Sequence, residues 1–180
     1  MRFFRYVRPT LILTGFLGAV LTINCNRQHK SPEPQTSQNN YKERLITVNE
    51  KLVREEDELI NEFIKRYEWD MKKTGTGLRY MIYSAGAGSA ARERNKATIH
   101  YSVVLLNGDT CYTAVRKEFI VGKGQIEAGL DEGVRMMHVG DKAKFILPSH
   151  LAFGLIGDHQ SIPQKATLVY DVYLLEVNDI

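Results

Sequence analysis

The chain has 180 residues, of which 43% are hydrophobic and 25% are charged. This length and composition are typical of one packed domain with short appendages. The formal net charge is +3, but the whole excess comes from three arginines within the first 24 residues, where no acidic residue occurs. The remainder is neutral and contains no Lys/Arg cluster with interleaved aromatic residues, so nucleic-acid binding is not predicted.

The N-terminus has the layout of an export signal. An apolar run of thirteen residues, 11–23, follows the arginines, and it is shorter than the roughly 20 residues that a membrane-spanning helix needs. Cys25 follows, as in bacterial lipoprotein signals, so we predict a signal peptide over 1–24, a lipid on Cys25 and a periplasmic, envelope-anchored protein. Thr22 and Asn24 depart from the usual residues of such signals, which leaves an uncleaved membrane anchor as the alternative.

Two further segments precede the domain. Residues 25–42 are rich in Gln, Asn, Ser and Pro and predict a disordered tether, because they have little apolar surface to bury. Residues 43–76 contain apolar side chains at helical spacing after a group of acids, which predicts an amphipathic helix. Its apolar stripe either packs on the following domain or mediates dimerisation. The stripe consists of Leu59, Ile60, Phe63, Ile64 and Tyr67.

Residues 77–180 alternate between apolar and polar positions, in short segments separated by turn residues. This pattern predicts strands near 97–106, 141–147 and 167–177. A short glycine-containing helix is predicted near Gly129 to Met136. The expected fold class is α+β, with an antiparallel sheet closing over that helix. The buried face of the helix is expected to contain Leu130, Val134 and Met137.

Residues 148–163 combine an apolar background with residue types that hydrolases and metal sites use. Neither serine lies in a Gly-x-Ser-x-Gly sequence, and no cysteine or third histidine lies at a spacing that would complete a zinc site. No metal and no cofactor is therefore predicted. Cys111 is interpreted as a small, buried apolar residue. The polar residues of this segment are Ser149, His150, Asp158, His159 and Ser161.

Three segments in chain order resemble the FK506-binding-protein (FKBP) family of peptidyl-prolyl cis-trans isomerases: "HYSVVLLNGDT", "GLDEGVRMMHVGDKAKFILPSHLAFG" and "IPQKATLVYDVYLLEV". The layout of signal, tether, helix and domain also resembles the lipoprotein members associated with gliding motility in Bacteroidetes. The resemblance implies a five- to six-stranded half-barrel wrapped around a short helix. It also implies an apolar groove that accepts the proline of a polypeptide substrate.

The resemblance assigns the groove to seven positions. It implies that the backbone N–H of Glu127 faces the substrate chain and that the other six supply apolar or aromatic walls. Leu130 stands where the family usually has tryptophan, which keeps the groove apolar but makes it shallower. The implied site consists of Tyr101, Ile126, Glu127, Leu130, Phe153, Ile162 and Tyr170.

Three departures from the family pattern bear on activity. Residues 111–114 read Cys-Tyr-Thr-Ala where the family typically has Phe-Asp-Ser-Ser, which predicts loss of a groove aromatic and an aspartate. The segment 111–122 is shorter than usual, with Lys117 near an expected aromatic. Phe153 replaces a tyrosine whose hydroxyl commonly bonds the substrate. The prediction is a folding helper for exported proteins that isomerises prolyl bonds; the alternative is a non-catalytic peptide-binding or scaffold module of the same fold.

Overall fold

The computed structural model describes residues 35–179, so the predicted signal peptide and Cys25 lie outside the described residues. Two α-helices and six strands make up the described part of the chain. In order they are α1 Gln35–Arg66, β1 Lys72–Lys73, β2 Arg79–Ser84, β3 Lys96–Leu105, β4 Thr110–Ile120, α2 Ala128–Val134, β5 Lys142–Leu147 and β6 Leu168–Asn178. A 3-10 turn at Ser149–Leu151 begins the long connection between β5 and β6.

All six strands form one antiparallel sheet in the order β1-β2-β5-β6-β3-β4. The α+β prediction and the three predicted strands are thereby confirmed. β4 has 11 residues and runs antiparallel to almost the whole of β3. β6 lies between β5 and β3, so the last strand of the sequence completes the centre of the sheet.

The helix α2 packs on the inner face of the sheet, as predicted. Leu130, Val134 and Met137 are completely buried there. Two glycines let the helix approach β5: a Cβ on Gly129 would lie 2.7 Å from the Leu147 side chain, and one on Gly133 would lie 2.8 Å from the Phe145 ring. Since such separations are shorter than van der Waals contact allows, glycine is needed at both positions for this packing.

The C-terminal half of α1 packs on the opposite face of the sheet. Ile60 and Phe63 are buried against Ile146 and Val169, whose side chains point away from α2. Packing on the domain, the first of the two alternatives for the apolar stripe, therefore occurs. Leu59 remains 57% exposed and Tyr67 51%, so only part of the stripe makes this contact.

The start of α1 differs from the predicted boundary. The helix begins at Gln35, inside the segment 25–42 predicted as a tether. No glycine or proline interrupts residues 35–66, and helix propagation is cooperative once part of the helix is anchored. Within residues 35–179, neither helix has the length and apolar character that crossing a membrane requires.

We predict that Val134→Asp abolishes the cooperative unfolding transition of the domain, because it places an unpaired carboxylate in a fully buried site at a cost of about 4 kcal/mol or more. Thermal unfolding followed by circular dichroism measures this. Ala128→Asp, at an exposed position of the same helix, is the matched control and should melt close to the parent. A Val134→Asp chain that melts like the control would contradict the fold described here.

Candidate active site: an apolar groove between sheet and helix

Two tyrosines on neighbouring strands form one wall of the groove. Tyr101 of β3 and Tyr170 of β6 both belong to the inner-face core, and their ring centroids lie 5.5 Å apart at 42°. Tyr170 is buried, whereas Tyr101 is half-buried. The pair therefore offers an aromatic surface that is partly open to a ligand.

The start of α2 forms the opposite wall. Ile126 packs on the core just before the helix, and Leu130 is completely buried beneath it. Glu127 is the N-cap residue, with φ −57° and ψ 140°, and its carbonyl accepts from Asp131 N at 2.9 Å. Its own backbone N–H precedes the helix and so has no acceptor within it.

The connection between β5 and β6 closes the third side; we call residues 148–167 the groove loop. It brings Phe153 and Ile162 onto the same core cluster, with Ile162 buried and Phe153 half-buried. Six of the seven predicted positions therefore belong to one core or pack against it, and Glu127 lies close enough to Tyr101 and Tyr170 to affect their pKa values. The term apolar groove, as used below, denotes the surface formed by Tyr101, Tyr112, Ile126, Leu130, Phe153, Ile162 and Tyr170, all of which belong to the inner-face core or pack against it.

The Glu127 carboxylate introduces a negative charge beside the aromatic wall. Burial, the negative charge of Glu127 and the neighbouring Tyr101 raise the pKa of Tyr170. Burial raises the pKa of Tyr101 as well, with smaller contributions from Glu127 and Tyr112. Both hydroxyls consequently stay protonated well above neutral pH and remain able to donate hydrogen bonds.

Tyr112 also lines the groove, although it is absent from the predicted set. A register shift between β3 and β4 places Tyr112 opposite Val103, on the side of the strand that faces the core. Within this irregularity Ala114 has φ +55°. Cys111 does stand where the family has an aromatic, but the bulge brings the aromatic ring of Tyr112 from the same segment to the core.

Asp158 of the groove loop is the acceptor for the Tyr112 hydroxyl. The same carboxylate accepts from Gln160 N at 2.9 Å and from Ile162 N at 2.8 Å. Burial opposes its charge, yet these three hydrogen bonds hold the pKa of Asp158 below its ordinary value. Asp158 thus holds the part of the loop that carries Ile162 against β4. This role follows from the folded conformation of the loop and is not evident from the sequence.

The other polar residues of the loop either form hydrogen bonds with different parts of the molecule or are exposed. Ser149 donates to Glu56 of α1, and His150 Nε2 lies 3.0 Å from the carbonyl oxygen of Thr76. His159 and Ser161 are exposed. Across residues 35–179, no group of three or more His, Cys, Asp and Glu side chains is arranged to hold a metal ion.

Cys111 lies at the edge of the groove, half-buried against the core. Burial raises the pKa of its thiol, and the nearby carboxylates of Asp158 and Asp109 act in the same direction. The thiol therefore stays protonated at neutral pH. This environment agrees with an apolar packing role and does not favour a nucleophile.

We predict that Asp158→Asn lowers the melting temperature by about 2–4 °C at neutral pH, because the amide is a weaker acceptor for three donors. The folded-state pKa of Asp158 lies below the ordinary 3.8, so its stabilising effect is fully present above pH 3.8 and is lost as the pH falls through the folded pKa. The difference between parent and variant should therefore be constant from pH 5 to 7 and shrink in more acidic solution. Melting curves across this range measure it, and a difference that grows below pH 3.8 would refute the assignment.

Comparison with known proteins agrees with this geometry. Residues 88–175 match the family model of the FKBP-type peptidyl-prolyl cis-trans isomerases. The FKBP-type isomerase FkpA of Buchnera aphidicola is 36% identical over 110 residues, which cover 59% of this chain and 45% of that protein. FK506-binding protein 2 of Dictyostelium discoideum is 41% identical over 88 residues, covering 47% of this chain and 66% of that protein.

A solved structure extends the similarity beyond the matched segment. The crystal structure of FkpA from Escherichia coli superposes with a TM-score of 0.60 at 26% identity, covering 81% of this chain and 71% of that one. The chain spans about half the length of the bacterial relatives that it matches in sequence. The family match and the sheet wrapped on α2 agree, and residues 88–175 of this chain belong to a domain of the FKBP-type peptidyl-prolyl cis-trans isomerase family.

Proposed function

We propose that the chain is a peptidyl-prolyl cis-trans isomerase that assists the folding of exported polypeptides. The observation that carries this proposal is the apolar groove, in which aromatic and aliphatic side chains from three strands, the start of α2 and the groove loop pack together. Tyr101, Ile126 and Phe153 are half-buried there. A prolyl ring is an apolar ligand of suitable shape for such a surface. The substrates we propose are proline-containing polypeptide segments.

The reaction requires no nucleophile, since rotation about an X-Pro amide makes and breaks no covalent bond. Its barrier of about 18–20 kcal/mol comes from the loss of amide resonance. The planar amide is more charge-separated than the twisted one, so transfer from water to an apolar groove favours the twisted form. The groove thereby lowers the barrier when it binds the twisted amide more tightly than either planar isomer.

Individual positions have distinct roles in this proposal. The rings of Tyr101 and Tyr170 and the side chains of Ile126 and Ile162 exclude water from the prolyl ring. The backbone N–H of Glu127 donates to a carbonyl of the substrate chain. Phe153 supplies apolar surface without a hydroxyl, which removes one hydrogen bond worth about 0.5–1.5 kcal/mol.

Replacement of Phe153 by alanine should lower kcat/KM for a prolyl peptide about tenfold, because it removes a half-buried wall of the groove and admits water to the amide. Exchange between cis and trans peptide, measured by NMR at equilibrium, gives the rate. His159→Asn is the control, since His159 is exposed at φ +61° and asparagine tolerates that backbone conformation; it and EDTA should leave the rate unchanged. Loss of activity in His159→Asn or in EDTA, with Phe153→Ala fully active, would contradict the proposal.

The second candidate is a non-catalytic peptide-binding module within an envelope complex such as a gliding-motility apparatus. The substituted groove favours it: Phe153 has no hydroxyl, and Leu130 stands where the family usually has tryptophan. Binding requires only affinity for a prolyl segment, whereas catalysis requires preference for the twisted amide. A prolyl peptide that binds the chain without faster isomerisation would distinguish this function from the first.

We propose that the chain is exported and held at the bacterial envelope, on the periplasmic side, by a lipid on Cys25. The order of arginines, a short apolar run and a cysteine supports this, and the polar residues after Cys25 separate the lipid from the domain.

Substitution of Cys25 by serine should abolish incorporation of radiolabelled fatty acid and release the chain from the membrane fraction, because it removes the sulfur that carries the lipid. Labelling followed by fractionation measures both effects. Substitution of Cys111, which is half-buried in the domain, by alanine is the control and should leave labelling intact. An unlabelled parent that stays in membranes would instead support an uncleaved anchor.

A further inference from the structure

Both ends of the groove loop donate hydrogen bonds to one side chain of α1, that of Glu56. Glu56 Oε1 accepts from Ser149 N at 2.7 Å and from Thr167 Oγ1 at 2.6 Å, and Glu56 Oε2 accepts from Ser149 Oγ at 3.0 Å. Ser149 is the second residue of the loop and Thr167 is its last. A single carboxylate, from a helix outside the segment that matches the family, therefore holds the two ends of the loop together.

The backbone of Ser149 links Glu56 to the residues on either side of Phe153. Its carbonyl oxygen accepts from Ala152 N at 3.1 Å and from Gly154 N at 2.8 Å, on either side of Phe153. Gly154 in turn accepts from Lys165 N at 2.9 Å. The backbone that carries Phe153 is consequently fixed through Ser149, whose own N–H is held by Glu56.

The helix that presents Glu56 is itself anchored to the sheet. The next residue, Asp57, pairs with Arg79 at 2.6 Å, and the Arg79 side chain is only 4% exposed. Ile60 and Phe63, one and two turns further on, are buried against β5 and β6. Glu56 therefore acts from a rigid support and not from a mobile helix end.

We propose that Glu56 is a positioning residue of the isomerase site. By fastening the ends of the groove loop to α1, it holds Phe153 and Ile162 in the arrangement that binds the prolyl segment. Without these hydrogen bonds the loop samples other arrangements, and the fraction of molecules competent to bind substrate falls. The catalytic half of this inference rests on the proposed function, whereas the structural half does not.

The test compares four versions of the full chain: the parent, Glu56→Ala, Glu56→Gln and Glu55→Ala. Glutamine can replace all three bonds, since its amide oxygen accepts from Ser149 N and Thr167 Oγ1 while its amide N–H donates to Ser149 Oγ. Glu55 is exposed and pairs with Lys51, one helical turn away at 3.6 Å, so Glu55→Ala controls for loss of charge on α1. Amide hydrogen exchange of Ser149 and Gly154 reports the loop, and NMR exchange of a prolyl peptide reports the rate.

We expect Glu56→Ala to speed exchange of both amides about tenfold and to lower kcat/KM about fivefold, mainly through KM. Glu56→Gln and Glu55→Ala should stay within about twofold of the parent in both measurements. The proposal that Glu56 holds the ends of the loop is overturned if the amides of Glu56→Ala exchange at the same rate as those of Glu55→Ala. Its catalytic role is overturned if the amides of Glu56→Ala exchange faster while kcat/KM stays at the parent value.

Two further results keep the test decisive. If the parent does not accelerate isomerisation, the proposed function is wrong, and faster amide exchange in Glu56→Ala would still establish the clamp on the loop. If Glu56→Ala does not fold, Thr167→Val removes one donor and leaves the helix unchanged. In that case exchange of the Gly154 amide about fivefold faster than in Glu55→Ala supports the proposal, and exchange equal to that of Glu55→Ala overturns it.

Discussion

The contact on which the site depends is the close packing of α2 against the inner face of the sheet. Gly129 and Gly133 face Leu147 and Phe145 at separations that leave no room for a Cβ. This approach buries Leu130 under the groove and brings Glu127 to the aromatic pair of β3 and β6. A larger residue at either glycine would push the helix outward, and the start of α2 would move away from the tyrosines. The packing of the core and the width of the groove therefore both depend on the contact between the two glycines of α2 and strand β5.

The chemistry proposed for the groove explains how its polar groups are arranged. Isomerisation needs a dry surface and no proton transfer. A carboxylate near the groove therefore contributes by accepting hydrogen bonds that position the side chains of the groove. The Asp158 carboxylate accepts hydrogen bonds from Tyr112 and from the backbone near Ile162. The Glu56 carboxylate accepts hydrogen bonds from the two ends of the groove loop. Charge-assisted hydrogen bonds of this kind are stronger than neutral ones, which suits a loop whose exposed tip carries Leu155 and Ile156.

The helix α1 turns a sheet with one covered face into a three-layer structure. Ile146 and Val169 would otherwise present apolar side chains to water on the face opposite α2, and Ile60 with Phe63 covers them. Asp57 and Arg79 add an ion pair at the edge of this contact. The same surface that stabilises the sheet therefore brings Glu56 to the groove loop. The helix thus packs as part of the domain, although it lies outside the segment that matches the family.

The sequence by itself determined the fold class, the main strands, the short helix and its buried face, because alternating and helical periodicities record which side chains meet the core. Through resemblance to a family whose motifs it retains, the sequence also proposed apolar groove positions, and the structure packs the side chains of six of them in the inner-face core or against it. The tertiary structure alone decided the register shift that brings Tyr112 to the core, the loop conformation that gives Asp158 its donors, and the contact of Glu56 with Ser149 and Thr167. These features depend on positive-φ residues, bulges and pairings between distant segments, and such long-range geometry leaves no periodic signal in a single sequence.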